Sequence, residues 1–324
     1  LTLEQIRNFP LINLKQFLII QHFKQKNGDY FSIQEFYLLP QFSKLYVEVL
    51  APFVSFTPSI EKEKLRLYFL SRIIIKPEDT KGFLKSDSSG YLGSKLHLYN
   101  RFQIKSKSQR GFISWEKDKG EISFVGNTYK YGYQRNIKGI IKQINLGSFS
   151  AHIGEGLIHS NNFIIGKTNP IESFQAITAP IKINSGASEY NFENGIAVMS
   201  KYKSISNTSF YSRKIINGEI ENGAIKSIKS DGLYNTYSQL EKKNIGAIST
   251  YGALTQFKCN KTIIGYNFTF KSLSSEYKPP NTYYNKNYGL DAYNLNQSLN
   301  YKFLSNRWLL RGELAIDKEL NKAS

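Results

Sequence analysis

The sequence predicts a two-part α + β multidomain chain: a small all-α unit over residues 1–56, then an antiparallel transmembrane-type β-barrel, incomplete, over 57–324. Three observations predict it. A capping-and-proline pattern repeats once near the N-terminus at an offset of thirty residues, and beyond about Lys62 the apolar spacing changes from helical to strict alternation. No apolar run approaches the roughly 20 residues that a membrane helix needs. The longest is "FLII" at 17–20, so a membrane role would fall to strands.

Four helix starts follow one another in the first part. Thr2 stands three residues before Gln5, Asn13 before Gln16 and Ser32 before Glu35, the spacing of a reciprocal cap, and Ser43 precedes "KLYVEVL". Laid over one another, Thr2 falls on Ser32, Pro10 on Pro40 and Asn13 on Ser43. Each half therefore reads as a helix, a proline-led bend and a second helix. Gly28 in "NGDY" is placed as the stop of the second helix, and Phe17, Ile20 and Phe23 give that helix a buried face.

Alternation then takes over. In "SKLHLYNRFQIK" (94–105), Leu96, Leu98, Phe102 and Ile104 lie on one side, and His97, Tyr99, Arg101 and Lys105 on the other. Ile113 and Trp115 oppose Ser114, Glu116 and Asp118. Ile264, Tyr266, Phe268 and Phe270 oppose Asn267 and Thr269. A hairpin about Ser305–Asn306 sets Trp308, Leu310, Leu314 and Ile316 against Arg311, Glu313 and Asp317. A soluble sandwich also alternates but rarely lines one face with Arg, Glu and Asp. Strands of about ten residues rich in Tyr and Phe, joined by stretches such as "KSDSSG", favour a membrane barrel of about ten to twelve strands. The charges Arg101, Glu116, Asp118, Arg311, Glu313 and Asp317 are then expected to line its lumen. A chain that begins inside a cap and ends on "NKAS" is expected to be a piece of a longer protein, with a barrel that does not close by itself.

Forty-three Lys and Arg against twenty-five Asp and Glu leave the chain at +18, which points to an anionic partner. Residues 1–56 carry five cations and four anions, so the surplus sits in the strands and their connections. Lone Cys259 excludes an internal disulfide and a cysteine metal cluster. His152, Glu155 and His159 around "HIGEGLIH" tempt as a metal site, but on a continuous strand their parity sends them to opposite faces. Gly154 and Gly156 read better as a bend or bulge. No metal, cofactor or catalytic set is expected.

The first part resembles the tandem helix-hairpin-helix module of ComEA-like competence proteins, through its hairpin spacing and the "NGDY" between hairpins. The resemblance implies that each bend presents backbone N–H groups to DNA phosphate. It carries over here to Pro10, Leu11, Ile12, Asn13 and Lys15, and to Pro40, Gln41, Phe42, Ser43 and Lys44. The family reads roughly Pro-Gly-apolar-Gly at its bends, whereas Leu11, Asn13, Gln41 and Ser43 replace all four glycines. The order of "GYLGSKLHLYNRF", "SWEKDKGE", "HIGEGLIHSNNFIIGK", "SDGLYNTYSQLEKKN" and "LLRGELAID" is similar to the barrel part of Bacteroidota proteins with such an N-terminus. That resemblance covers nearly the whole chain. It implies an outer-membrane barrel with the helical module in the periplasm.

Two functions stand open on these residues. In the first, the chain binds or passes an anionic macromolecule, with DNA as first candidate. In the second, the helical pair docks a periplasmic protein and the barrel serves envelope assembly or secretion, its lysines facing outer-membrane lipid and lipopolysaccharide phosphates. A soluble DNA-binding protein with a β domain is a third arrangement, and an outer-membrane enzyme is disfavoured.

Overall fold

A computed structural model describes residues 7–27, 32–54, 63–85, 87, 89–122, 128–161, 179–186, 188–280, 293–305, 308–317 and 322–323. The chain divides into two compact units, Leu1–Glu63 and Lys64–Ser324. The cap at Thr2 and Gln5, the stop at Gly28 and Asn306 of the last hairpin lie outside the described residues.

In the first unit, α1 (Leu14–Asn27) and α2 (Lys44–Leu50) each begin at one of the expected caps. Asn13 Oδ1 accepts from the Gln16 N–H at 2.9 Å while Gln16 Oε1 accepts from the Asn13 N–H at 3.1 Å. Ser43 Oγ accepts from the Tyr46 N–H at 3.3 Å. The two bends share one hydrogen bond, Ile12 N–H to Phe9 C=O and its counterpart Phe42 N–H to Leu39 C=O. They differ in backbone, because Gln41 sits at φ 69 and Leu11 has no positive φ.

The second hairpin also departs from a helix–bend–helix pair. Ile33–Leu38 is a 3-10 helix, although Glu35 Oε1 accepts from the Ser32 N–H at 3.0 Å as its capping spacing requires. Proline at position 40 restricts Leu39 to an extended backbone, so the short segment ends before an α-helical ladder can develop.

Ile20, Phe36, Leu39, Phe42, Val47 and Leu50 form this unit's core. Each contributes about 1.5–3 kcal/mol by leaving water. Buried Gln16 ties both bends to that core: its amide donates to the Gln41 carbonyl at 3.4 Å, and its oxygen accepts from the Tyr46 hydroxyl at 3.1 Å.

Among the described residues the second unit is one antiparallel sheet of fifteen strands. Its ladder runs β1 (Arg66–Ile75), β2 (Leu96–Lys105), β3 (Gln109–Lys117), β4 (Thr128–Asn136), β5 (Ile141–Ile153), β8 (Glu193–Tyr202) and β9 (Ile205–Glu221). It continues through β11 (Gly246–Cys259), β12 (Thr262–Leu273), β13 (Tyr293–Leu304), β14 (Leu309–Asp317) and β15 (Lys322–Ala323). Short β6 (His159–Ser160) and β7 (Ile181–Ile183) pair with β5, and β10 (Ala224–Lys229) pairs with β9. The sheet is not closed: among the described residues β1 pairs only with β2.

Connections alternate in length. At one rim successive strands of the ladder are separated by two to four residues (105 to 109, 136 to 141, 202 to 205, 259 to 262, 304 to 309); at the other they are separated by ten or more (75 to 96, 117 to 128, 153 to 193, 221 to 246, 273 to 293). The chain enters β1 at the short-turn rim, because Arg66 pairs with Lys105. Asn222 and Gly223 close β9 onto β10 with φ 52 and 79, both in the left-handed region that a two-residue hairpin favours.

Paired residues of antiparallel strands point to the same face, so the register fixes two opposed surfaces. One row reads Phe112, Gly132, Gly147, Gly195, Ser212, Thr250, Lys271 and Asn294 across eight strands. This inward face buries Ser114, Lys130, Asn145, Asn267, Ser298 and Glu313. Residues of the other parity, such as Tyr131, Leu146, Tyr251, Tyr266, Leu299 and Leu314, are exposed. Among the described residues no helix is long and apolar enough to cross a membrane.

Gln41 occupies a conformation that costs an L-residue roughly 1–2 kcal/mol. Gln41→Gly is expected to stabilise the first unit by about 0.5–1 kcal/mol after the unfolded-state entropy of glycine is subtracted. Hydrogen exchange of the core amides Ile20 and Val47 in the full chain would read this as slower exchange.

Candidate functional site: the inward face and the turn that crosses it

After β5 the chain turns back at 154–158 and returns as β6, with His152 opposite Ser160 and Ile153 opposite His159. The turn reaches across the inward face to β14. Five strands separate β5 from β14 in the ladder, so the sheet must curl for this contact to exist.

Glu313 is the receptor for the turn. Its Oε2 accepts from the backbone N–H groups of Glu155 at 2.8 Å and Leu157 at 3.1 Å. Its Oε1 accepts from Ser298 Oγ at 2.5 Å and Asn267 Nδ2 at 3.2 Å. Four donors on one buried carboxylate are the compensation such a charge requires. Beside it Arg311 Nε donates to Glu155 Oε2 at 2.8 Å.

Gly154, at φ +62, lies so close that a Cβ would stand 2.4 Å from Glu313 Oε1. Only glycine fits there. Apolar packing completes the closure: Ile158 joins Phe149, Ala151, Ile153, Phe210, Leu254 and Ala315 in one cluster.

The return strand is tied down as well. Asn161 accepts from the Ala151 N–H at 2.6 Å and donates to Glu193 Oε1 at 3.0 Å, and His159 Nε2 stands 3.3 Å from the same oxygen. His152 Nδ1 meets Ser160 Oγ at 2.9 Å. His152, Glu155 and His159 thus go to three different partners. A turn rather than a continuous strand separates them, and this corrects the parity argument while leaving the three residues apart.

Inward cations hold a second connection. Lys130 Nζ donates to Asn184 Oδ1 and to the carbonyls of Gly186 and Ser188 at 2.8–3.0 Å, and stands 4.3 Å from the centre of the Phe192 ring. Lys214 Nζ donates to the Tyr190 carbonyl at 2.8 Å and lies over the Tyr190 ring at 3.9 Å. Arg101 donates to the Ser185 carbonyl at 3.1 Å. Each spends its charge on segment 184–192.

At the long-connection rim, Glu189 takes the Gly232 N–H, and Glu121 Oε1 accepts from the Tyr234 N–H at 3.2 Å. Burial, and then repulsion from Asp118, raise the Glu189 carboxyl above the usual range against the opposing bond from the Gly232 N–H. Burial, and then Glu189, push the Tyr234 hydroxyl up to about 12.

Glu116 and Asp118 flank His97, whose Nδ1 lies 3.1 Å from Asp118 and whose Nε2 lies 3.6 Å from Glu116. Among the described residues these three are the group with metal-ligand spacing, their atoms lying within 4.8 Å of one another. One imidazole edge faces each carboxylate, so a single ion would engage only one of the two edges. Asp317 occupies the inward row of Thr269 and Asn296. The six charges named from sequence therefore belong to three settings rather than one: the turn receptor (Arg311, Glu313), the rim (Glu116, Asp118), and the remaining inward face (Arg101, Asp317).

Pro10, Leu11, Asn13, Lys15, Pro40, Gln41, Ser43 and Lys44 are all exposed, whereas Phe42 is buried and Ile12 half-buried. The Asn13 N–H, one of the amides expected to meet phosphate, is already taken by Gln16. Around the bends Leu14 (64 % exposed), Leu18 (53 %) and Leu45 (76 %) leave apolar surface in solvent.

Replacing Glu313 by alanine strips the Glu155 and Leu157 N–H groups and the Ser298 hydroxyl of their acceptor, while Asn267 keeps Ser298 and Asn300. The loss is expected to be about 2–4 kcal/mol, since each buried group left unpaired costs about 1–3. Amide exchange at Glu155 and Leu157 would accelerate, while exchange in β3 would stay unchanged.

No protein-family model matches the chain, and no curated protein is significantly similar to it.

Proposed function

We propose that residues 64–324 form the wall of an outer-membrane β-barrel whose lumen is occluded by its own turn at 154–161 and segment 184–192. We further propose that the helical unit is a protein-docking module on the periplasmic side. The inversion of the two faces carries this reading. Leucine, isoleucine and tyrosine stand in solvent on one side of the central strands, while the other side buries asparagine, serine, threonine, lysine and glutamate around one apolar cluster. A water-soluble sheet would pay for that arrangement twice, once in exposed apolar area and once in buried polarity. Lipid removes the first cost, and hydrogen bonds across the lumen remove the second.

Short turns on one rim and long connections on the other match the periplasmic and extracellular ends of such barrels. The chain enters β1 at this short-turn rim, and the resemblance of residues 1–56 to ComEA-like modules supports a periplasmic helical unit. Docking is favoured there over phosphate binding, because Leu14, Leu18 and Leu45 are exposed and the Asn13 amide is spent. Envelope assembly or secretion fits an occluded lumen better than open passage.

Duplex DNA remains the second reading on one observation: two bends with the same hydrogen bond, each followed by an exposed lysine, Lys15 and Lys44. Two phosphate contacts would give a salt slope of about −1.8, lost in the double variant Lys15→Glu, Lys44→Glu. Docking predicts no such difference between the parent and the variant in detergent.

Trp115 on the outward parity of β3 and Trp308 beside the β13–β14 turn are the chain's two tryptophans. With brominated phospholipid, the native fluorescence of the reconstituted chain is expected to be strongly quenched. Solubility without detergent together with unquenched fluorescence would defeat the barrel reading.

A further inference from the structure

A cavity of about 430 Å³ lies on the inward face beneath the return strand, within the size range of small-molecule sites. Its walls include Lys214, Thr250, Lys271 and Asn294, its roof His159 and Asn161.

Lys271 and Asn294, both facing this cavity, are unspent. Arg101, Lys130, Lys214 and Arg311 each bond to an acceptor of the chain. Lys271 has no hydrogen bond or ion pair among the described residues; Glu193, its nearest counter-charge, is engaged by His159 and Asn161. Asn294 Oδ1 is buried with no hydrogen-bond partner. The two are direct cross-strand partners, as are Lys271 and Thr250, so ammonium and acceptor sit side by side in one inward row.

We propose that this cavity binds a small hydroxylated carboxylate, its carboxylate paired with Lys271 and an adjacent hydroxyl donating to Asn294 Oδ1. One unspent ammonium matches a monoanion. Glu193 in the same cavity opposes the higher charge of phosphate, and a bare carboxylate would leave the Asn294 acceptor unpaired at the cost of a buried polar group. This site does not depend on whether the outward face meets lipid.

Calorimetric titration of the full chain in detergent with D-glucuronate, D-glucose and acetate tests it. Glucuronate is expected to bind at least about tenfold more tightly than either of the others. Lys271→Met should weaken it by about tenfold or more, and Asn294→Leu by a smaller factor. Lys302→Met, an inward cation outside the cavity, should match the parent. Equal affinity for glucuronate and glucose, no heat with glucuronate, or parental affinity in folded Lys271→Met would each overturn the proposal. The parent comparison needs no variant to fold.

Discussion

Register is the constraint on which the second unit depends, and in the ladders from β2 to β14 it shifts only between Ile141 and Gln143, where β5 meets the end of β8. From β2 to β14 each strand meets its neighbour so that one parity stays inward, and a slip of one residue anywhere would turn a strand's lysines and asparagines outward and its leucines inward. Tight turns help to pin that register. Lys203 and Asn260 accept positive φ at the two-residue connections, where a longer loop would allow slippage.

A polar inward face creates a second demand, because every group on it must be paired. The chain meets part of this demand with its own connections, while Asn145, Thr269 and the Oδ1 atoms of Asn267 and Asn294 stay buried with no hydrogen-bond partner among the described residues. Glu313 is paired by the backbone of 155 and 157, and Lys130 and Lys214 by carbonyls of 184–192. Covering the inward face and pairing its charges are thus linked, since Arg101, Lys130 and Lys214 all bond to carbonyls of segment 184–192.

Alternation was legible because it is local: parity on β3, β12 and β14 could be read from ten-residue windows, and the two bends from caps and prolines thirty residues apart. What stayed hidden depends on long-range pairing. Nothing in "HIGEGLIH" announces that its turn will meet a glutamate more than 150 residues later; the two glycines gave the bend but not its destination. His97, Lys130, Lys214 and Glu193 were missed because a lone polar residue on a strand carries no mark of its partner. The 3-10 segment 33–38 was hidden for a different reason: its capping box is the same one that an α-helix would use, and only the proline at position 40 hints at its short length.

The inverted sheet is most directly tested along β13, where Ser298 and Asn300 point inward and Leu299 and Tyr301 outward. Single cysteines at these four positions, in a Cys259→Ser background reconstituted in lipid, would carry an environment-sensitive fluorophore. Labels at 299 and 301 should report hydrocarbon and be quenched by brominated lipid, while 298 and 300 should label poorly and escape that quenching. Equal response at all four positions, or quenching of the even pair alone, would contradict an outward apolar face in lipid.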